Sequence, residues 1–207
     1  MPESMTAEER ARRIRLILFD VDGVLTDGGI WLFPAPADAE RSTIDHAAAM
    51  EGKGGYAMQS ANLLEAKGFH AHDGSGVSLA RIAGIACGII TKRISEAVAL
   101  RARDMRLKHV YQGTANKLAA MHEILAKDHL SIDQVAYLGD DVIDLPVMRV
   151  CGLAMAVADA RPQVRAAAHW IAPSKGGRGA ARDAIEFILA AQGKLESAIE
   201  EYIRERS

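Results

Sequence analysis

Only two cysteines stand among the 207 residues. Cys87 and Cys151 both lie among small or apolar neighbours (Gly84-Ile85-Ala86-Cys87 and Val150-Cys151-Gly152). That rules out a disulfide framework or a zinc cluster and reads as reduced core packing in a reducing compartment. Aromatics are also scarce, at four Phe, four Tyr and two Trp. With alanine abundant, the core must rest on small and aliphatic side chains from helices and buried strands, which favours an α/β fold. Charge of one sign is lacking: 25 Lys plus Arg face 27 Asp plus Glu, for a formal net charge of −2. No overall basic field points to nucleic acid or an anionic membrane. No run reaches the roughly 18 apolar residues that span a bilayer, and Met1-Pro2-Glu3-Ser4-Met5 opens no apolar signal region. A cytoplasmic location is expected. The composition that remains, 49% hydrophobic and 25% charged, fits one globular domain over residues 1–207.

Thr6-Ala7-Glu8-Glu9 reads as a capping box opening a short leader helix, and Ile14 to Phe19 as a buried strand ending at Asp20. Apolar runs recur at Ile85 to Thr91, Val135 to Gly139 and Leu153 to Val157, each followed by helical spacing. Repeated β-α units of this kind predict a doubly wound parallel sheet. Helices are expected at about Gly76 to Ala83, Ser95 to Met105, Ala115 to Lys127, Ile143 to Val150 and Arg178 to Gln192. Two regions break the rhythm. Residues 29–70, with a candidate strand at Gly29 to Phe33 and breaker-rich stretches after it, read as an inserted hairpin or flap without a separate cap domain. In the tail 194–207, Leu195, Ile199, Tyr202 and Ile203 share one helical face, expected to pack on the domain or on a partner subunit.

The chemistry concentrates at the predicted strand ends. Asp20-Val21-Asp22-Gly23 follows the first strand and Gly139-Asp140-Asp141-Val142-Ile143-Asp144 follows a distant one. Open α/β sheets bind ligands outside the carboxyl ends of their strands, so these carboxylates stand over one site. They form a cluster of hard oxygen donors suited to Mg²⁺ beside a substrate phosphate. Thr91 ends a third strand in a hydroxyl, and Lys117 opens a helix after Gln112-Gly113-Thr114-Ala115-Asn116. A hydroxyl and an ammonium are what a phosphoryl group in transfer needs around its equatorial oxygens. Taken singly, an Asp-x-Asp-Gly is as often a turn or a calcium loop, and Asp27 reads as a turn residue beside Gly28 and Gly29. The order of all four motifs along the chain is what carries the reading.

In that order the sequence resembles the haloacid dehalogenase superfamily of aspartate-nucleophile phosphotransferases. Asp20 to Gly29, Asp73-Gly74-Ser75-Gly76, Tyr111-Gln112-Gly113-x-x-Asn116-Lys117, Tyr137 to Pro146, Ala156 to Ala160 and Gly176-Gly177-Arg178-Gly179-Ala180 look like its 3-deoxy-D-manno-octulosonate 8-phosphate phosphatases, over roughly residues 14–33 and 64–195. The resemblance implies a Mg²⁺-dependent phosphatase of lipopolysaccharide precursor synthesis. In it Asp20 attacks phosphorus, Asp22 serves as acid and then base, and Thr91 and Lys117 hold the phosphoryl group. Asp20, the Asp22 main-chain carbonyl and Asp140 would hold the metal, with Asp141 and Asp144 ordering them. It further implies substrate contacts from His72, Asp73, Gly74, Arg93, Lys175 and Arg178, with the Asp73-Gly74-Ser75-Gly76 loop entering the active-site mouth. It also implies a homotetramer in which the hairpin forms the intersubunit contact and the C-terminal segment reaches a neighbouring active site.

This chain departs from the family in three places. Ile90-Thr91-Lys92-Arg93 carries Lys92 where the family usually has glycine, His72 replaces an arginine, and the stretch from about Pro34 to Asn62 is longer than the corresponding hairpin tip. His70-Ala71-His72-Asp73 offers two imidazoles on one strand face, yet no further Cys or His supports a second metal. Three competing readings differ in what they expect. A phosphatase of a related nine-carbon ketoacid 9-phosphate would differ in substrate length. A receiver-like phosphoacceptor would store its acyl phosphate, whereas Asp22 supplies the base that destroys it. An inactive oligomeric scaffold would show no turnover with Mg²⁺.

Overall fold

The computed structural model describes residues 5–34, 56–57 and 63–205. Most of the stretch Pro34 to Asn62, including its expected role as an insertion, lies outside them. Thr6 caps α1 (Ala7–Ala11): its side chain accepts from the Glu9 N–H while Glu9 reaches back to the Thr6 N–H. The first buried strand follows as β1 (Leu16–Phe19).

The remaining strands are β2 (Trp31–Pro34), β3 (Tyr56–Ala57), β4 (Leu63–Ala66), β5 (Ala86–Ile90), β6 (Arg93–Ile94), β7 (His109–Tyr111), β8 (Val135–Gly139), β9 (Leu153–Ala156) and β10 (Trp170–Ile171). Six of them form one sheet in the order β10-β9-β8-β1-β5-β7, and every pairing in it is parallel. Helices α2 (Ala71–Ile82), α3 (Glu96–Asp104), α4 (Lys117–Asp128), α5 (Leu145–Met148), α6 (Pro162–Ala167), α7 (Ala180–Ala191) and α8 (Leu195–Arg204) alternate with these strands or follow them. This is the doubly wound α/β fold. β1, β5, β8 and β9 coincide with the predicted apolar runs, because strands covered on both faces read as continuous hydrophobic sequence. β7 and β10 were not predicted; each is short and sits at a sheet edge, where the partly exposed Tyr111, Trp170 and Ile171 leave no clean apolar run.

One expectation is corrected, and for the tail one of two alternatives is selected. The helix read as starting at Gly76 begins at Ala71, five residues earlier, so His70, Ala71 and His72 do not lie along a strand. Glycines 74 and 76 look like breakers in sequence, but here they allow close approach. A Cβ on Gly74 would press on the Arg101 guanidinium, and one on Gly76 would collide with Arg182. The tail folds as α8 and packs on this same chain, where Leu195, Ile199 and Tyr202 lie against the core. Lys194 donates to the Ala83 carbonyl at 3.2 Å, and Arg81 pairs with Glu205 at 3.9 Å.

Outside the main sheet, β2 pairs antiparallel with β4, Trp31 opposite Ala66 and Pro34 opposite Leu63. Trp31, Leu32, Phe33, Leu63 and Leu64 all stand exposed on this ribbon, with Trp31 at 59%. β3 pairs with β6, immediately beyond Thr91.

Candidate active site

The sheet changes direction of winding at β1, which has β5 on one side and β8 on the other. Phe19 is in register with both Ile89 and Leu138, so the residues that follow the three strands meet at one edge. Asp20, Asp22, Thr91, Arg93 and Asp140 all line a cleft of 390 Å³ there, together with Lys92, Asp159 and Gly176.

The chain leaves β1 in a tight turn, where the N–H groups of Val24, Leu25 and Thr26 converge on the Val21 carbonyl at 3.0–3.3 Å. Gly23 is required in it: its φ is +84°, and a Cβ would enter the Asp140 carboxylate. Asp27 takes the turn role expected for it, accepting the Gly29 N–H at 3.0 Å. Gly176 seals the cleft from below, because a Cβ there would strike the Gly23 carbonyl. Its N–H donates to Asp159 at 3.0 Å and Gly177 donates to the Val24 carbonyl at 2.9 Å.

Asp20 is buried, accepts the Val21 N–H on Oδ1 at 2.7 Å and lies 2.6 Å from Lys117 Nζ through Oδ2. Lys117 is the first residue of α4, placed by Asn116, whose side chain caps the helix through the Ala119 N–H. Its buried ammonium also meets Asp144 Oδ1 at 2.7 Å and Tyr137 Oη at 3.3 Å. Asp144 is fully buried and fully used: Tyr137 donates to Oδ1 at 2.7 Å, while the N–H groups of Asp140 and Asp141 donate to Oδ2 at 3.0 and 3.4 Å. Asp144 thus holds the loop that presents Asp140.

Too many carboxylates share this space for one lysine. Burial first, and then the nearby Asp144, push the Asp20 carboxyl up to about 7 although Lys117 pulls the other way. Burial, Asp20 and Asp144 raise Asp140 to about 8. Burial acts to lower Lys117, but Asp20 and Asp144 more than offset it and keep the ammonium charged. Asp140 Oδ1 is buried without a hydrogen-bond partner among the described residues, and Asp20, Asp140 and Asp144 offer oxygens that all lie within 4.8 Å of one another. An all-oxygen donor set with an orphaned, desolvated carboxylate fits a hard divalent cation.

Residues 88–182 match a family model for haloacid dehalogenase-like hydrolases. A 3-deoxy-D-manno-octulosonate 8-phosphate phosphatase of Yersinia pestis is 40% identical over 190 residues, 92% of this chain and 87% of that protein. The chain belongs to this phosphatase family. The corresponding protein of Escherichia coli K12 is 38% identical over 197 residues, 95% of this chain and 90% of its own. Among solved structures, the phosphatase of Moraxella catarrhalis, in complex with a magnesium ion, a phosphate ion and 3-deoxy-D-manno-octulosonate (KDO), superposes with a TM-score of 0.78. It is 31% identical, with 95% of this chain and 97% of that chain covered.

Not every family-derived expectation falls in the cleft. Asp73-Gly74-Ser75-Gly76 is no loop at its mouth but the first turns of α2. Asp73 is buried against α7, taking the Arg182 N–H on Oδ1 at 3.0 Å while Oδ2 has no partner. His72 is exposed beside the His70 ring, 4.7 Å between centroids. Lys175 and Arg178 are exposed next to Gly176 and do not line the cleft. Of the two point departures, Lys92 does line it and His72 does not.

Burial holds the Asp73 carboxyl up at about 6. A carboxyl raised above its unfolded value favours the fold below pH ~4 and loses that contribution as pH rises through 6, a difference of roughly 3 kcal/mol at most. Asp73→Asn, which keeps the Oδ1 acceptor, is therefore expected to raise the denaturant midpoint at pH 7.5 and to leave it nearly unchanged at pH 4. An equal shift at both pH values would contradict the assignment.

Three members of the site escaped sequence reasoning. Tyr137 is hidden in an apolar run, where a phenol reads as core. Asp159 lies in a stretch quoted only for resemblance. Lys67, whose side chain is wholly buried, forms a short ion pair with Asp22 Oδ1 and lies 3.2 Å from Glu65 Oε1; it had no signal beyond preceding Gly68. On the other side of Asp22, Arg93 Nε is 3.5 Å from Oδ2.

Proposed function

We propose that this protein is a Mg²⁺-dependent phosphatase that hydrolyses 3-deoxy-D-manno-octulosonate 8-phosphate to the free sugar acid and phosphate. The observation that carries the reading is the buried Asp20 in contact with Lys117, beside Asp140 and Thr91, at the point where three parallel strands end. The relatives named for that substrate span nearly the whole chain, and they do not favour a nine-carbon 9-phosphate.

Asp20 is the nucleophile: its carboxylate attacks phosphorus and forms an aspartyl-phosphate as the sugar oxygen leaves. Lys117, in contact with Asp20, orients that carboxylate and carries positive charge toward the developing phosphoryl charge, while the Thr91 hydroxyl lines the cleft itself. Asp22 gives a proton to the departing sugar oxygen, then takes one from the water that hydrolyses the acyl phosphate. Asp20, the main-chain carbonyl of Asp22 and Asp140 would hold Mg²⁺, which supplies charge neutralisation between the carboxylates and the phosphate. Arg93 offers the cleft a cation for the phosphate or the sugar carboxylate, as Lys175 and Arg178 do at its rim; His72 and Gly74 complete the set only if a neighbouring subunit brings α2 near, and Asp73, buried against α7, reaches no substrate.

We also propose assembly as a homotetramer; what supports a partner surface is the ribbon, where five large apolar side chains stand exposed on one two-stranded element. Gly176 and Gly177 are taken up against Gly23 and Val24 of their own chain, so Arg178 is the group that the C-terminal segment would present to a neighbouring active site. Cytoplasmic residence fits two buried cysteines that are not paired; no helix among the described residues is long and apolar enough to cross a membrane.

Phosphate release from the eight-carbon and nine-carbon sugar phosphates, with Mg²⁺ and with chelator, tests the reading. Failure to hydrolyse the eight-carbon ester with Mg²⁺ would overturn it. Metal dependence also has a pH signature. Carboxyls held at about 7 and 8 in the fold cost stability as pH rises above ~4. The metal-free protein should therefore melt lower at pH 8 than at pH 5.5. Added Mg²⁺ displaces those protons and binds only the folded state, so it should raise the melting temperature more at pH 8. A metal-induced shift that is larger at pH 5.5 would count against Asp20 and Asp140 as the ligands.

A further inference from the structure

Four charges alternate in a closed ring at the root of the ribbon. Lys67 touches Asp22 Oδ1 and stands 3.2 Å from Glu65 Oε1; Arg93 Nη2 is 3.1 Å from Glu65 Oε2 and its Nε is 3.5 Å from Asp22 Oδ2. Glu65 belongs to β4, Lys67 follows its end, Arg93 belongs to β6 and Asp22 lies in the turn after β1. Two other segments thus meet on the Asp22 carboxylate. We propose that Lys67 is a positioning residue for the reaction, fixing the Asp22 carboxylate where it can serve the leaving oxygen and the attacking water, and that it does so without touching substrate.

The inference rests on the phosphatase reading for its chemistry, but its geometry stands alone. Lys67 is 0% exposed and does not line the cleft, whereas Asp22 and Arg93 do. Its ammonium is wholly buried between two carboxylates and has no face on the cleft, so unlike Arg93 it does not reach an anion bound there. Sequestering a lysine costs side-chain entropy and the hydration of its charge, and an ion pair of this kind adds little to stability over a well-packed apolar residue. What it supplies is a fixed orientation. Asp22 precedes Gly23 on a turn, is partly solvated at 25% side-chain exposure, and without the ring would sample several rotamers. For an acid and base that must reach two different oxygens, a displacement of about 1 Å can cost about 10²-fold in rate. Glu65 extends the ring into β4, next to the exposed Leu63 and Leu64, so the surface that calls for a partner is one strand residue away from the ring that holds Asp22.

The test is a double-variant cycle read on both 3-deoxy-D-manno-octulosonate 8-phosphate and p-nitrophenyl phosphate, with the full-length protein and saturating Mg²⁺. Lys67→Met should lower kcat by about 10- to 100-fold with KM within about two-fold of wild type. Asp22→Asn/Lys67→Met should be no slower than Asp22→Asn alone, since a residue that acts through Asp22 has nothing to add once Asp22 is disabled. Lys67→Gln, which keeps a polar tip at Asp22, should fall between wild type and Met and serves if the Met variant does not fold. A crystal structure of the variant should show the Asp22 carboxylate displaced. A raised KM with preserved kcat, multiplicative loss in the double variant, or an undisplaced Asp22 would each overturn the proposal. If the wild type cleaves only the aryl ester, the substrate reading fails while the cycle still decides Lys67. If it cleaves neither, the position of Asp22 in the crystal decides.

Discussion

Asp20→Asn is expected to lower phosphate release by at least about 10⁴-fold, in line with the loss of a covalent nucleophile. An amide cannot attack phosphorus, and the carboxylates near Asp20 have other duties, Asp140 as a proposed metal ligand among them. Asp144 is consumed by Lys117, Tyr137 and two backbone N–H groups, and Asp22 is held by Lys67 and Arg93 for its own acid and base role. The fold should survive, because Asn keeps the Oδ1 acceptor for the Val21 N–H and removes a carboxyl that burial had pushed up to about 7. Without metal at pH 8 the variant should melt no lower than wild type, and Mg²⁺ should raise its melting temperature less. Steady-state phosphate release and thermal melts check both parts. Turnover within tenfold of wild type would remove Asp20 from the centre of the mechanism.

Lys117→Met should be the most damaging single change to the fold. The ammonium is 2.6 Å from Asp20 and 2.7 Å from Asp144, and all three groups are buried. Removing one partner of a buried ion pair leaves uncompensated charge and costs about 3–5 kcal/mol. The penalty depends on pH in a definite direction. Lys117 lowers the Asp20 carboxyl, so without it that carboxyl rises further above its unfolded value of 3.8. Such a group is harmless while protonated and destabilising once the unfolded state can release the proton, so the loss grows from pH 5 to pH 8. Denaturant unfolding at the two pH values measures it. Lys117→Met/Asp144→Asn should recover part of the loss by removing one stranded charge. A wild-type midpoint for Lys117→Met at pH 8 would mean that the carboxylates do not depend on the lysine.

The parallel sheet was legible because strands covered on both faces become continuous apolar runs; Val135–Gly139 is buried along its whole length. Edge strands β7 and β10 gave no such run and were missed. Helix α2 was read five residues late, since Gly74 and Gly76 look like breaks until Arg101 and Arg182 are seen pressing on them. At the site, Asp20, Thr91 and Asp140 were singled out from type and order at the ends of buried strands, and the fold brings them to one cleft. Those whose role depends on what folds against them, Tyr137, Glu65 and Lys67, were not. The tail shows the same limit: its apolar face was visible, but not that it would close on α2 of its own chain.

By itself, then, the sequence determined the α/β class, the strand ends that carry chemistry and the hard-oxygen character of the site, because each of these follows from local residue type and spacing. Only the tertiary structure decided that Asp144 serves Lys117 and the Asp140 loop, that α2 begins before the Asp-Gly-Ser-Gly motif, and that Asp22 is gripped by Lys67 from a ribbon 45 residues away in the chain. Each depends on contacts between segments distant in sequence, ion pairs for Lys117 and Lys67 and the close approach of Arg101 and Arg182 for α2, and no local pattern records them.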